Sequence, residues 1–369
     1  MPNPWQKLMA RAMRRAGRNQ ARLVKVSLSA VLKSSLKSTL KAKRALRGGT
    51  ARLNSETLTA VVPKRAPRPG AGKSPGNVSD KGRCIDGRYT GAQGTRVYRL
   101  YQPPQALAAP SVLWPLVVML HGCNQNPDDF ARGTRMNRLA AAHGFLVLYP
   151  AQSMQHSPRR CWNWFKRIHQ GRGRGEPALL AGMVQQVVAV HAIDPLRIYV
   201  AGLSAGGAMA AILGNAYPEV FAAVGVHSGL PTAGAHDVGS ALAAMQGRAP
   251  THTTSGATPP PTIVFHGDAD PTVHPVNGER LFVAATATPI DQTLVAESRV
   301  RQANQGRTAT RQVHLDAAGH VMAEYWVLHG AGHAWSGGST QGSFTDANGP
   351  DASAEMWRFF SSHSLPPQN

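Results

Sequence analysis

The sequence predicts an α/β protein: a doubly wound, mostly parallel sheet with helices on both faces, preceded by a basic arm. Three observations carry this. Short, almost wholly apolar runs alternate with helical patterns from residue 95 onward. The runs lack the period-two polarity of half-exposed strands, as expected where both faces of a sheet are covered. Finally, the charge is very uneven. The whole chain carries a formal +21, yet residues 1–70 hold seventeen Lys or Arg and one acidic residue, so 17 − 1 = +16 sits there and 21 − 16 = +5 remains elsewhere.

Each element follows from its residues. Leu116–Leu120, Phe145–Tyr149, Ile198–Ala201, Phe221–Val226 and Ile263–Phe265 read as buried strands, with strand-like character over 322–328. The segment 96–101 alternates instead and is expected as an antiparallel edge strand. Helices are predicted over 128–143, 178–192, 205–216, 275–286 and 352–362. Strand–helix alternation of this kind builds a parallel sheet.

Residues 1–61 form the arm. Val24, Leu28, Leu32, Leu36 and Leu40 recur every four residues, with Lys25, Lys33, Lys37 and Lys41 one position later. This is the spacing of a basic amphipathic helix, suited to an anionic or lipid-like surface through residues 1–50; a solvated tail has the same composition. Nucleic acid would be held by charge alone, without specificity. Residues 62–83, rich in Pro, Gly, Ser and basic side chains, read as a linker, which leaves 84–364 as the catalytic domain. No signal-peptide core is evident, and no apolar run approaches the ~18 residues of a membrane span. With three cysteines and no CxxC pair, neither a disulfide scaffold nor a structural zinc site is expected.

Three motifs stand at strand ends. Gly202-Leu203-Ser204-Ala205-Gly206 lies between a strand and a small-residue helix, the context of a nucleophile elbow. The serine needs a base and an acid. His333 in HGAGHAW is preferred over His329, which stands closer to the strand end. Asp270 in HGDADPTV is preferred over Asp268. The order serine, acid, histidine is that of an α/β-hydrolase. The third motif, His121-Gly122-Cys123, can aim the backbone N–H of Cys123 at an oxyanion, together with that of Ala205.

Together LHGCNQNPDDF, CWNWF at 161–165, GLSAGGAMA, FHGDADPTVHPVNG and HGAGHAWSGG resemble the polyhydroxybutyrate (PHB) depolymerase family of esterases, from about Arg83 to Phe360. The resemblance implies an α/β-hydrolase fold. It further implies hydrolysis of short-chain polyhydroxyalkanoates or of feruloyl and acetyl esters of plant polysaccharides, with no cofactor or metal. On this sequence the implied triad falls on Ser204, Asp270 and His333, and the oxyanion donors on Cys123 and Ala205. Members are typically extracellular; a cytoplasmic or granule-associated protein is the alternative for a chain with this arm. Cys123 is either a free thiol or bridged to Cys161, with Cys84 left over. Trp162, Trp164 and Phe165, in a polar basic stretch, are expected to line a substrate cleft, with Trp335 bordering the same pocket.

Overall fold

The computed structural model describes residues 82–233, 235–249, 259–286, 295–301 (backbone) and 306–367. The basic arm and almost all of the linker lie outside the described residues.

Strand β1 (Arg83–Gly91) turns into β2 (Gly94–Gln102), and a short helix α1 (Pro104–Ala108) leads to β3 (Trp114–Leu120). Helices α2 (Pro127–Thr134) and α3 (Met136–His143) then precede β4 (Leu146–Pro150). Next come α4 (Gly175–Val190), β5 (Ile193–Leu203), α5 (Ala205–Ala216), β6 (Ala223–His227), α6 (Val238–Met245) and β7 (Thr262–Gly267). The chain continues through α7 (Val276–Thr286), β8 (Val295–Arg301), β9 (Thr308–Leu315) and β10 (Val321–Leu328). A small parallel pair, β11 (Trp335–Ser336) and β12 (Thr345–Asp346), stands before α8 (Ala352–Phe360).

The ten long strands form one sheet in the order β1-β2-β4-β3-β5-β6-β7-β10-β9-β8. From β4 to β10 every pairing is parallel. The flanking pairs β1–β2, β2–β4, β9–β10 and β8–β9 are antiparallel. The order reverses at β3, whose neighbours are β4 and β5, so the crevice above its C-terminal end is a topological switch point.

The apolar runs are continuous because both faces are covered. On β3, Leu116, Val118 and Leu120 pack on one side with Met183 and Val184 of α4 and Met209 and Leu213 of α5. Val117 and Met119 pack on the other, with Phe130 of α2, Met136 of α3 and Met356, Phe359 and Phe360 of α8. Each such side chain removed from water contributes roughly 1.5–3 kcal/mol.

Two expectations are corrected. The helix expected over 128–143 is two. Asn126 caps α2 by accepting from the Asp129 N–H at 3.0 Å, but Arg135 takes φ 56° and ends it, with α3 starting one residue later. The strand at 96–101 is antiparallel but not an edge, because β1 pairs along its whole length from Arg83 to Gly91.

Candidate active site

Ser204 sits between the end of β5 and the start of α5 with φ 58° and ψ −119°, a conformation sparsely populated by residues with a side chain. Its N–H donates to the His227 carbonyl of β6 at 2.9 Å. The turn has no room for a side chain on either flank. A Cβ on Gly202 would come within 2.4 Å of the Gly206 backbone, and one on Gly206 within 2.1 Å of the Leu120 carbonyl oxygen. Between Ala201 and Ala210 every residue is buried except Ser204, which is partly exposed. Local crowding therefore forces the glycines, and the strained turn lifts the serine out.

Asp270 and His333 are 63 residues apart and come together. His333 Nδ1 is 2.7 Å from Asp270 Oδ2. The acid is held from several sides. Its Oδ1 accepts the N–H groups of Thr272 and Val273 at 2.8 and 2.9 Å, and His266 Nε2 lies 3.5 Å from Oδ2. Burial opposes ionisation of Asp270, but hydrogen bonds from His266, His333 and the Val273 N–H outweigh it and hold the carboxyl below its usual range. Such a carboxylate fixes the proton of His333 on Nδ1 and leaves Nε2 as the basic atom.

The rival residues also pair, with each other. His329 Nδ1 is 2.9 Å from Asp268 Oδ2, and His329 Nε2 is 2.8 Å from Thr310 Oγ1 on β9. Both ring nitrogens of His329 are thus committed. The Asp268 and His329 side chains are about two-fifths exposed, whereas that of Asp270 is fully buried.

The turn after β3 is built from inside. His121 is buried, its Nδ1 donates to the Gly122 carbonyl at 2.8 Å, and its Nε2 accepts the Gln152 N–H at 3.1 Å. Burial pushes its pKa down to about 4, so the ring is neutral with a fixed tautomer. Gln125 Oε1 accepts the Gly122 N–H at 2.9 Å, while its Nε2 reaches Asp129 and the Ser343 carbonyl. Among the described residues, the N–H groups of Cys123 and Ala205 donate to no protein acceptor. A disulfide joins Cys123 to Cys161, which fixes the pairing that composition left open and leaves Cys84 outside it.

The tryptophans are placed otherwise than expected. Trp162 is fully buried, and its Nε1–H donates to the His121 carbonyl at 3.1 Å. Trp335 is 1% exposed, donates to Ser353 Oγ at 3.1 Å, and stacks on His227. Trp164 is buried as well, edge-on to Phe165. All three rings are packed in the hydrophobic interior, Trp162 and Trp164 in the cluster on one face of the sheet and Trp335 in the cluster on the other. For Trp162 and Trp164 the physical reason is Glu176 on α4, also buried, which accepts from the Asn163 N–H at 2.7 Å, the Asn163 side chain at 2.9 Å and Gln152. That carboxylate, with Arg96 3.7 Å away, pulls the segment 161–165 inward.

His227, His266, Gln125 and Glu176 escaped sequence reasoning. His227 is fully buried, its pKa pushed down to about 3 by burial, and its Nε2 accepts the Ser336 N–H at 3.0 Å. For His266 a signal existed, since His-Gly directly ends a strand four residues before the acid.

A doubly wound sheet with a strained serine after its fifth strand and an acid–histidine pair after later strands defines the α/β-hydrolase class. An acetyl xylan esterase from Aspergillus awamori shares the fold at a TM-score of 0.55 and 18% identity, with 76% of this chain and 100% of that chain covered. Residues 96–288, over half of the chain, match the family described as esterase PHB depolymerase, and the chain belongs to that family. It is 33% identical over 232 residues to poly(3-hydroxyalkanoate) depolymerase C of Paucimonas lemoignei, covering 59% of this chain and 54% of the relative. A probable acetylxylan esterase A of Aspergillus clavatus is 27% identical over 199 residues, 48% of this chain and 61% of the relative. The chain therefore spans a little over half the length of these two relatives.

Proposed function

We propose that this protein is a serine esterase that hydrolyses ester bonds of poly(3-hydroxybutyrate)-type short-chain polyesters or their oligomers. Ser204 is the nucleophile and His333 the base that takes its proton at Nε2. Asp270 holds the imidazole tautomer and stabilises the imidazolium formed on attack. The N–H groups of Cys123 and Ala205 receive the oxyanion. Collapse of the tetrahedral intermediate releases the alcohol, protonated by His333. Water then attacks the acyl-enzyme with His333 again as base, and the acid leaves.

The observation that carries this reading is the 2.7 Å contact of His333 with a buried, doubly amide-capped Asp270, in a fold whose elbow presents Ser204. The polyester reading rests on the depolymerase relative. The acetylxylan esterase relative supports the second reading, a carbohydrate esterase of the acetyl or feruloyl type. Hydrolysis of 3-hydroxybutyrate oligomers, amorphous polyhydroxybutyrate, methyl ferulate and acetylated xylan by the same preparation separates the two. Release of 3-hydroxybutyrate supports the first, and cleavage of the plant esters alone replaces it with the second.

Residues 1–61 act as a docking arm, joined by the linker 62–83 to the catalytic domain 84–364, and hold the enzyme on a granule or an anionic membrane. The regular spacing of Leu28, Leu32, Leu36 and Leu40 beside Lys33, Lys37 and Lys41 supports this. Replacing Lys25, Lys33, Lys37 and Lys41 by Gln in the full chain should weaken binding to anionic vesicles and to isolated granules. Unchanged binding to both would remove the arm from this role.

A further inference from the structure

Two arginines stand on the rim of the turn that supplies the Cys123 N–H, and the esterase reading gives them no task. Arg159 is tied to that turn twice: its carbonyl accepts the Asn124 N–H at 2.6 Å, and its Nε lies 3.4 Å from Asn124 Oδ1. Arg160 follows with φ 52°, a left-handed conformation that a long side chain adopts only when its surroundings impose it. Cys161 comes next and is covalently bound to Cys123. The main chain that carries both arginines is therefore tied, through a disulfide and a backbone hydrogen bond, to residues 123 and 124.

Neither group is consumed by the protein's own carboxylates. Among the described residues, Arg159 binds the Asn124 amide and Arg160 Nη2 lies 3.5 Å from Met154 Sδ. The acidic side chains on either side in the sequence are committed elsewhere, Glu176 to Asn163 and Arg96. Asp129 binds Gln125 and Ser343, and Asp128 binds Arg99. Both arginines are partly exposed and Asn124 between them and the turn is exposed, so the site is open to solvent.

We infer that Arg159 and Arg160 recognise a carboxylate on the substrate, so that the preferred substrates are oligoesters with a free acid end. The inference rests on the esterase reading and specifies its substrate class. In a 3-hydroxybutyrate dimer the carboxylate carbon lies four bonds beyond the scissile carbonyl carbon, on the alcohol side. With that carbonyl oxygen on the Cys123 N–H, the carboxylate is led to the same rim. Guanidinium groups match carboxylates in shape as well as charge, and charge-assisted hydrogen bonds of this type are about twice as strong as neutral ones. A neutral ester of the same length leaves the two cations unmatched and loses that contribution.

The test compares kcat/KM for the 3-hydroxybutyrate dimer as free acid and as its methyl ester at the distal carboxyl, at pH 7.5. The full-length wild type, Arg159→Gln/Arg160→Gln and Arg159→Lys/Arg160→Lys are measured, with p-nitrophenyl butyrate as a reference ester. The readout is the acid-to-ester ratio, which cancels general damage to the machinery. The wild type should favour the acid at least ~10-fold, less so at 0.5 M salt. The double Gln variant should bring the ratio near one, and the double Lys variant should retain part of it. A wild-type ratio near one, or a ratio unmoved by the Gln pair, overturns the inference while leaving the esterase intact. Failure to cleave any of the three esters overturns the esterase reading and the inference with it.

Discussion

His333 Nδ1 lies 2.7 Å from Asp270 Oδ2, and the other oxygen of that carboxylate is occupied by two backbone N–H groups. The pair is directional: with Oδ1 taken by two amides, Oδ2 faces the His333 ring, with His266 Nε2 3.5 Å away on the same oxygen. Replacing Asp270 by Asn keeps the shape but offers an amide whose N–H₂ group can turn toward Nδ1 and favour the wrong tautomer. We expect Asp270→Asn to lower kcat for p-nitrophenyl butyrate by about 10⁴. Asp268→Asn, which touches the exposed pair with His329, should change it less than about threefold. A larger loss from Asp268→Asn would exchange the roles of the two acids.

The elbow glycines give a prediction about stability. A Cβ at Gly206 meets the carbonyl oxygens of Leu120 and His121 at 2.1 and 2.6 Å, and these are backbone atoms that cannot step aside. Gly206→Ala should cost about 3 kcal/mol. Gly332, next to His333, has nothing within 4 Å of the same position, so Gly332→Ala should stay within about 0.5 kcal/mol of wild type. Urea denaturation of the two variants decides the matter, and equal midpoints would contradict the crowding argument.

The disulfide closes a loop with a sequence separation of 38 residues, which carries both rim arginines and ends where the Trp-rich segment begins. The loop-entropy relation assigns such a link about 4 kcal/mol. Cys123→Ser/Cys161→Ser should lose much of that, and it should also lose turnover, because the Cys123 N–H is no longer held. Added reductant should act on wild type in the same direction and leave the double variant unaffected.

Two buried histidines set the acid side of stability. His121 and His227 have folded pKa values of about 4 and about 3, against an unfolded value near 6.5. A depressed histidine pKa means that the unfolded chain binds protons the native state refuses. Above pH 6.5 neither group matters, and as pH falls toward 4 each draws the equilibrium toward unfolding. At pH 5 the cost is roughly 2 kcal/mol for each group. Asp270 acts in the opposite sense and lower down: its carboxyl is depressed, so the stability it contributes is present above the ordinary Asp value near 3.9 and is lost only below it. Stability should therefore fall between pH 7 and 5, and His227→Gln should flatten that slope even where its absolute stability is lower. An equal slope in the variant would show that His227 does not titrate on unfolding.

Much of the site was legible in the sequence because its chemistry is local. The elbow needs glycines two residues either side of Ser204, and the acid and the histidine each follow a strand end. What stayed hidden depends on partners far along the chain. The tryptophans at 162 and 164 looked exposed because their neighbours are Arg, Lys and Gln; the burial comes from Glu176, a helical residue with no mark in the sequence. The break at Arg135 was invisible because its neighbours continue a helical pattern. The strand β9, with Thr, Arg, Gln and His in its eight residues, has too little apolar character to read as a strand, and pairing with β10 supplies what its composition lacks. Asp268 and His329, rivals for the same roles in the sequence, pair with each other, a contact that a separation of 61 residues hides.

The most direct test of the central claim is the turnover of p-nitrophenyl butyrate and of 3-hydroxybutyrate oligomers by wild type and Ser204→Ala, with the thermal midpoint of each recorded. The account predicts a kcat loss of about a million-fold on both substrates and an unchanged or raised midpoint, since the variant loses only a hydroxyl from a strained position. A folded Ser204→Ala protein with near-wild-type turnover would contradict it.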